Sequence, residues 1–313
     1  MTEKVSENTN EVFSIVIRVR NAAAELERCL SALSKQVLPD NSRLEFIVVD
    51  NDSSDNSRQV ASKKGAIIES IATDDFSWGR ALNRGLSRAK GDISLILSAD
   101  AYPADKCWVC EMVRPFAEAE VAAVYGRQLA LPNAPIDEQV RLLKHFISQP
   151  MRFDSQSGNI FPTGKGMLVS NACAAIRTSL WRKWPYDETI NAGEEGVWSY
   201  NAIQKGFSIV YQPSAKVYHS HKDSVLKFAW REWELYYKNS FLRNITLTKK
   251  HVFKWLGAFI FRRLKNCAWP NVSLTARIEG ILRLPLEMIA FVIVSLYAGD
   301  PANRLKYREF FWK

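Results

Sequence analysis

The chain has 313 residues, 47% of them hydrophobic and 24% charged, with a formal net charge of +9. That length suits one large α/β domain or a domain with an appendage, and the composition excludes a disordered chain. Cys29, Cys107, Cys110, Cys173 and Cys267 are odd in number and scattered, which excludes a disulfide scaffold and points to a reducing compartment.

The first residues, MTEKVSENTN, are polar and contain no apolar core, so no secretory signal is expected there. Phe13–Arg20 is a run of β-branched residues and reads as a buried strand. Leu26, Cys29, Leu30 and Leu33 then fall on one helix face. Leu44–Asp50 is a second strand, after which Ser53-Ser-Asp-Asn is placed to cap a helix. Ala66–Ser70 is a short third strand, Trp78–Ala89 a helix stopped by Gly91, Ile93–Ser98 a fourth strand and Val121–Tyr125 a fifth. Cys107-Trp-Val-Cys110 has redox-motif spacing, but it falls in a predicted helix and no second pair completes a zinc site. Strands that alternate with helices imply right-handed βαβ units and a mainly parallel sheet.

Two of these strands run into an aspartate, Asp50 and Asp100. In a parallel sheet the strand C-termini share one edge, so both carboxylates face one crevice, where ligands bind in open α/β folds. Acidic groups there suit a ribose or base and a divalent cation. Further on, Glu194 and Glu195 open a predicted helix that ends at Gly206, and a following strand finishes in His219 and His221. Carboxylates at a helix start are favoured by the helix dipole.

The ordered blocks Ser14-Ile-Val-Ile-Arg-Val-Arg-Asn21, Ile47-Val-Val-Asp-Asn-Asp-Ser-Ser-Asp55, Phe76-Ser-Trp-Gly-Arg-Ala-Leu-Asn-Arg-Gly85, Ser98-Ala-Asp-Ala-Tyr-Pro103 and Gly193-Glu-Glu-Gly-Val-Trp198, with the histidine strand after them, resemble the inverting family 2 glycosyltransferases. They look nearest to bacterial enzymes of polysaccharide assembly, rhamnosyltransferase-like members among them. The resemblance implies the GT-A fold: a Rossmann-like, mainly parallel sheet with flanking helices. It covers residues 12–221, leaving residues 1–11 as a flexible terminus and 222–313 as a basic helical region. It implies a nucleotide-sugar donor, a glycan or lipid-linked glycan acceptor, and transfer with inversion. Glu195 takes the place of the general base. Arg20, Asp50, Arg80, Asn83 and Asp100 take donor-binding places, and Glu194 and Trp198 face the acceptor. Asp100, His219 and His221 are the candidate ligands of Mg²⁺ or Mn²⁺.

Two positions depart from the family pattern. Ser98 stands first in the Asp-x-Asp motif, so within it only Asp100 can charge-balance a cation. Glu195 replaces the usual Asp and adds a methylene to the reach of the base. Two other functions fit parts of the pattern. A nucleotidyltransferase shares the fold type, but Arg20-Asn-Ala-Ala-Ala24 lacks the glycine-rich phosphate loop. A catalytically inactive binding subunit would account for Ser98.

Residues 222–313 hold 17 Lys/Arg and 7 Asp/Glu, a net +10, whereas residues 1–221 sum to −1. Phe228, Trp230, Trp233, Tyr236 and Tyr237 accompany Lys227, Arg231 and Lys238, and Phe253, Trp255, Phe259 and Phe261 alternate with Lys249, Lys250, Lys254, Arg262, Arg263 and Lys265. Basic residues interleaved with large apolar ones predict an interfacial segment on an anionic membrane, hence a cytoplasmic protein peripheral to the inner face, the alternative being helices packed on a core or a partner with solvated basic faces. Met288–Gly299 is uncharged but shorter than the ~20 residues of a spanning helix and is expected to be packed or half-buried. No nucleic-acid recognition motif accompanies the basic composition.

Overall fold

The computed structural model describes residues 11–156, 169–190, 193–220, 224–230, 233, 249–270 and 272–298. Contacts divide the chain into two units, Met1–Leu129 with His145–His219, and Ala130–Lys144 with Ser220–Lys313. The second unit therefore takes in a stretch near residue 135 that the charge distribution gave no sign of.

The first unit is built on a nine-stranded sheet among the described residues, in the order β3-β2-β1-β4-β8-β6-β9-β5, with β7 paired to β9. The strands are β1 Glu11–Val19, β2 Ser42–Asp50, β3 Ile67–Ser70, β4 Ile93–Ser98, β5 Tyr102–Pro103, β6 Val121–Leu129, β7 Met151–Phe153, β8 Cys173–Arg177 and β9 Ser208–Tyr218. β1 to β4 are mutually parallel, as the βαβ reading requires. β8 then inserts antiparallel between β4 and β6, and β9 runs parallel to β6. Six of the nine strands thus share one direction, and the short β5, β7 and β8 oppose them. None of these three was legible in the sequence, because runs of two to five residues carry little periodicity.

Alternation along β1 sends Phe13, Ile15, Ile17 and Val19 into the main core, together with Leu26, Leu30 and Leu33 of α1 (Ala23–Leu33) and Trp108 and Met112 of α4 (Trp108–Val113). On the other sheet face α3 (Trp78–Leu86) lies so near the strands that a Cβ at Gly85 would collide with the side chains of Val16 and Val49. Glycine is what allows that approach. α2 (Ser57–Lys63), α6 (Thr178–Lys183) and α7 (Glu194–Gln204) complete this unit. All five cysteines are free, so the Cys107/Cys110 pair is not bonded.

The second unit contains most of α5 (Ile136–His145), a helical stretch at 225–230, α8 (Lys249–Cys267) and α9 (Leu274–Ala298). Its core joins Ala229, Trp230 and Trp233 to Leu256, Phe291 and Val294. A buried Arg263 ties its helices together, donating from Nε to Asp137 at 2.9 Å, from Nη1 to the Gly280 carbonyl at 2.7 Å and from Nη2 to Glu287. An arginine paired in this way can be buried because each of its three nitrogens meets an acceptor and its charge is matched by two carboxylates. The part of the uncharged run that is described, Met288–Ala298, is the end of a helix that begins at Leu274 and passes through Pro285. Arg231, Tyr236, Tyr237 and Lys238 lie outside the described residues.

Candidate active site

The C-terminal ends of the parallel strands carry the polar groups. β1 leaves the sheet through Asn21 and β2 through Asp52, both with positive φ, +46° in each case. Asn and Asp tolerate this left-handed conformation better than other side chains. Their side chains tie neighbouring loops together: Asn21 Oδ1 accepts from the Ser54 N–H in the loop after β2 at 2.7 Å, and Asp52 Oδ2 accepts from the Thr73 N–H beyond β3 at 2.7 Å. The cap expected from Ser53–Asn56 takes a different form. Asp55, not Asn56, holds the start of α2 through the Ser57 N–H and hydroxyl, and it also accepts from the Ala23 N–H. These ties fix the floor on which Asp50 sits.

Asp50 is 1% exposed. Arg58 Nη1 donates to its Oδ2 at 3.1 Å and to the Ser70 hydroxyl at 2.8 Å. Asp50 Oδ1 is buried with no hydrogen-bond partner among the described residues, and so is the Nε of Arg20. Arg80 and Asn83 lie on α3. Arg80 donates to Glu188 at 2.9 Å and to Asp75. The Asn83 side chain receives the Tyr186 N–H and Trp181 Nε1–H and donates to the Tyr186 carbonyl and Glu188. Asn83 is therefore a clamp between α3 and the 181–188 segment, and its hydrogen-bonding capacity is largely used within the fold.

Glu194 and Glu195 open α7 as the sequence predicts. Gly193 precedes them at φ +89° and turns the chain into the helix. Glu194 is 3% exposed; Asn171 Nδ2 donates to its Oε1 at 3.2 Å, and Arg18 Nη1 lies 3.9 Å from the same oxygen. Glu195 is half-buried, and its Oε2 has no hydrogen-bond partner among the described residues. Burial, reinforced by the neighbouring Glu194 charge, pushes the Glu195 carboxyl up to about 7, with Arg18 acting in the opposite direction. A carboxylate that titrates near neutrality can accept a proton at working pH and release it again.

Arg18 is the functional candidate that sequence reasoning passed over, although it lies within a quoted block. Its guanidinium packs over the Trp78 ring, 4.6 Å from the centroid, and is flanked by Glu194, Glu195, Tyr186 and Asp100. Its Nε and Nη1 are buried without hydrogen-bond partners among the described residues. Strand alternation places it on the same face as Arg20, and its register partner on β4 is Ser98. Ser98 Oγ is likewise buried without a partner among the described residues. A fixed cation thus lies across from the position where the Asp-x-Asp motif lacks its first carboxylate.

Trp198 turns inward. It is 5% exposed, donates from Nε1 to the Trp184 carbonyl at 2.7 Å and packs against Tyr186. Trp78 presents an aromatic ring to solvent, 37% exposed and in edge contact with Phe76 at 5.1 Å. His219 follows β9. Its Nε2 lies 3.6 Å from Asp100 Oδ1, and Gln128 Oε1 is 2.8 Å from its Nδ1. With Nδ1–H donating to Gln128, the Nε2 lone pair is directed to the Asp100 side, which is how a metal-ligating histidine is oriented. An imidazole nitrogen and a carboxylate oxygen together suit Mn²⁺ or Mg²⁺. No group of three or more His, Cys, Asp or Glu gathers among the described residues, and His221 lies outside them.

A sheet with parallel strands on one flank, an aspartate ending β2, a second just beyond β4 and a carboxylate pair opening a helix fit the GT-A class of glycosyltransferase fold. Solved structures share it. A mannosyltransferase from Pyrobaculum calidifontis, in complex with GDP-Man and Mn²⁺, aligns over 92% of this chain and 88% of its own, with TM-score 0.50 and 17% identity. S. aureus TarS 1-349 in complex with UDP aligns over 92% of both chains, with TM-score 0.55 and 16% identity. The chain belongs to glycosyl transferase family 2, whose family model matches residues 14–183, more than half of its length. Among curated relatives, the O-antigen chain rhamnosyltransferase WbaN of Salmonella anatum is 28% identical over 213 residues, 67% of this chain and 66% of its own. RfbN of Salmonella typhimurium is also 28% identical, over 66% of each chain. The match thus spans 66% of the length of either relative.

Proposed function

We propose that this protein transfers a hexosyl or deoxyhexosyl group, with inversion, from a nucleotide sugar to a hydroxyl of a glycan or lipid-linked glycan during cell-surface polysaccharide assembly. The observation that carries this reading is Glu195: a half-buried carboxylate at a helix start, held up to about 7, beside the strand ends where the family binds its donor. As general base it takes the proton of the acceptor hydroxyl while that oxygen attacks the anomeric carbon. Arg18 and Glu194 set its charge state and hold its surroundings. Asp50, steadied by Arg58, recognises the nucleoside, and Arg20 meets the phosphates. Arg80 and Asn83 keep the donor-side helix in place through Glu188 and Tyr186. Trp78 offers the sugar an aromatic ring, while Trp198 holds the start of α7 against Trp184 and Tyr186.

Asp100 and His219 are the groups that would hold a divalent cation, with His221 as a further candidate. Such a cation, when bound, supplies positive charge to the departing diphosphate. Arg18 adds fixed positive charge close to Asp100. The names of the Salmonella relatives make a nucleotide-activated rhamnose the first donor to test, and a lipid-linked glycan is the acceptor class proposed. The basic residues of 222–313 support a place on the cytoplasmic face of a membrane with anionic lipids. Saturation-transfer NMR over a panel of nucleotide sugars, with and without Mn²⁺, followed by measurement of donor hydrolysis, tests the reading. Binding of one donor with turnover supports it. A donor that binds without any turnover assigns the chain instead to an inactive binding subunit.

A further inference from the structure

The outward side of α9 is apolar from Leu274 to Ile293. Leu274, Ile278, Leu282, Leu286, Ile289 and Ile293 recur every three or four residues and so form one stripe. Each is more than half exposed, and Leu274 and Leu282 reach 71%. The opposite side of the helix is already occupied, with Ala276, Glu287, Ala290, Phe291 and Val294 buried. An amphipathic helix normally shows water its charged face. Here the two acids, Glu279 and Glu287, are instead paired with Arg283 and Arg263.

α8 repeats the pattern with charge added. Phe253, Phe261 and Leu264 are 71%, 70% and 54% exposed and share one stripe. Lys254, Arg262 and Lys265, each one residue further on, form the exposed stripe beside it. Soluble proteins seldom leave so many large apolar side chains uncovered in one region. No described helix is long and apolar enough to cross a membrane; uncovered apolar faces flanked by basic residues are what interfacial helices present to a bilayer.

We propose that the exposed faces of α8 and α9 dock the protein on a bilayer, with the α9 stripe entering the acyl boundary and Lys254, Arg262 and Lys265 meeting anionic headgroups. Charge selects this occupant over a second copy of the chain. Residues 222–313 carry +10, so pairing two such faces sets like charge against like, whereas an anionic surface complements it. The proposal deepens the membrane reading above and rests on it only in making the bilayer the place where a lipid-linked acceptor is met. It also changes the expected physics: attachment is chiefly apolar, with electrostatics as a salt-sensitive addition.

The test is co-sedimentation of the full chain with phosphatidylcholine vesicles, with and without phosphatidylglycerol, at low and high salt. Wild type should bind the anionic vesicles and keep a residual affinity at high salt. Arg262→Glu with Lys265→Glu should remove the salt-sensitive part. Leu282→Gln with Ile289→Gln should lower partitioning about 10²-fold at either salt, roughly tenfold for each large apolar side chain withheld from the bilayer. Both replaced side chains are exposed, so the variant should keep the wild-type circular dichroism spectrum. Wild-type failure to sediment with either vesicle overturns the proposal, as does wild-type sedimentation by the Leu282/Ile289 variant. A wild-type dimer in ultracentrifugation that this variant dissolves also overturns it, by giving the face to a second copy. Donor hydrolysis measured without vesicles separates this from the catalytic reading. Hydrolysis without vesicle binding sinks the docking surface alone; vesicle binding without hydrolysis upholds the surface and sinks the transferase reading alone.

Discussion

Replacing Glu195 by Gln removes one charge and almost no volume, so its effects can be worked through. In the fold the carboxyl stays protonated up to about 7, against 4.5 for an unperturbed Glu, chiefly through burial and secondly through the Glu194 charge. At ~1.4 kcal/mol for each tenfold change in proton affinity, ionising Glu195 costs the folded state up to ~3 kcal/mol. Between 4.5 and about 7 the folded protein therefore holds a proton that the unfolded chain has already released, and stability falls as pH rises through that window. Glu195→Gln lacks this slope. Denaturant unfolding at about pH 8 should find the variant more stable by ~1–3 kcal/mol, and at about pH 4 the two proteins should match. Catalysis should move in the opposite direction. Wild-type kcat/KM should rise with pH to a plateau above an inflection near 7, and the variant should transfer at least ~10²-fold more slowly while still binding donor. Transfer by the variant at near wild-type rate, or a stability difference that does not change with pH, would refute the reasoning.

Arg18→Gln removes the cation that opposes the rise in the Glu195 pKa, so the ascending limb of the pH–rate profile should move to higher pH; an unmoved limb counts against the role given to Arg18. The same change leaves Glu194 buried without its ion partner and should cost about 3 kcal/mol in denaturant unfolding. Gln128→Leu takes away the group that orients His219. It should weaken Mn²⁺-dependent binding of a nucleoside diphosphate about tenfold in calorimetry, with binding in EDTA unchanged. Equal affinity for the variant and wild type in Mn²⁺ would remove His219 from the metal site.

Sequence by itself determined the framework, because its signals are local. β1, β2 and β4 were legible from short, mostly apolar runs, since a strand buried on both faces is apolar along most of its length. The start of α7 at Glu194 and its end near Gly206, which adopts φ +86°, were legible because helix ends need particular residues. The ordered motifs led to the family, whose match covers residues 14–183. Only the tertiary structure decided what surrounds those motifs. β8 pairs with β4 from some eighty residues away, and no local pattern announces an antiparallel strand of five residues. Asn171, Tyr186 and Glu188 reach Glu194, Asn83 and Arg80 through contacts with no periodic signature. Trp198 has the helical spacing to share the Glu195 face, yet packing turned it inward, because a large ring is more stable against Tyr186 with its N–H satisfied than in water. Arg18 looked like one more residue of a strand; its meaning came from Glu194, Glu195 and Trp78 closing around it. The apolar stripe of α9 was hidden for the same reason. Composition can show that a helix is apolar, but which of its faces is left uncovered depends on what packs against the other, and that is a property of the fold.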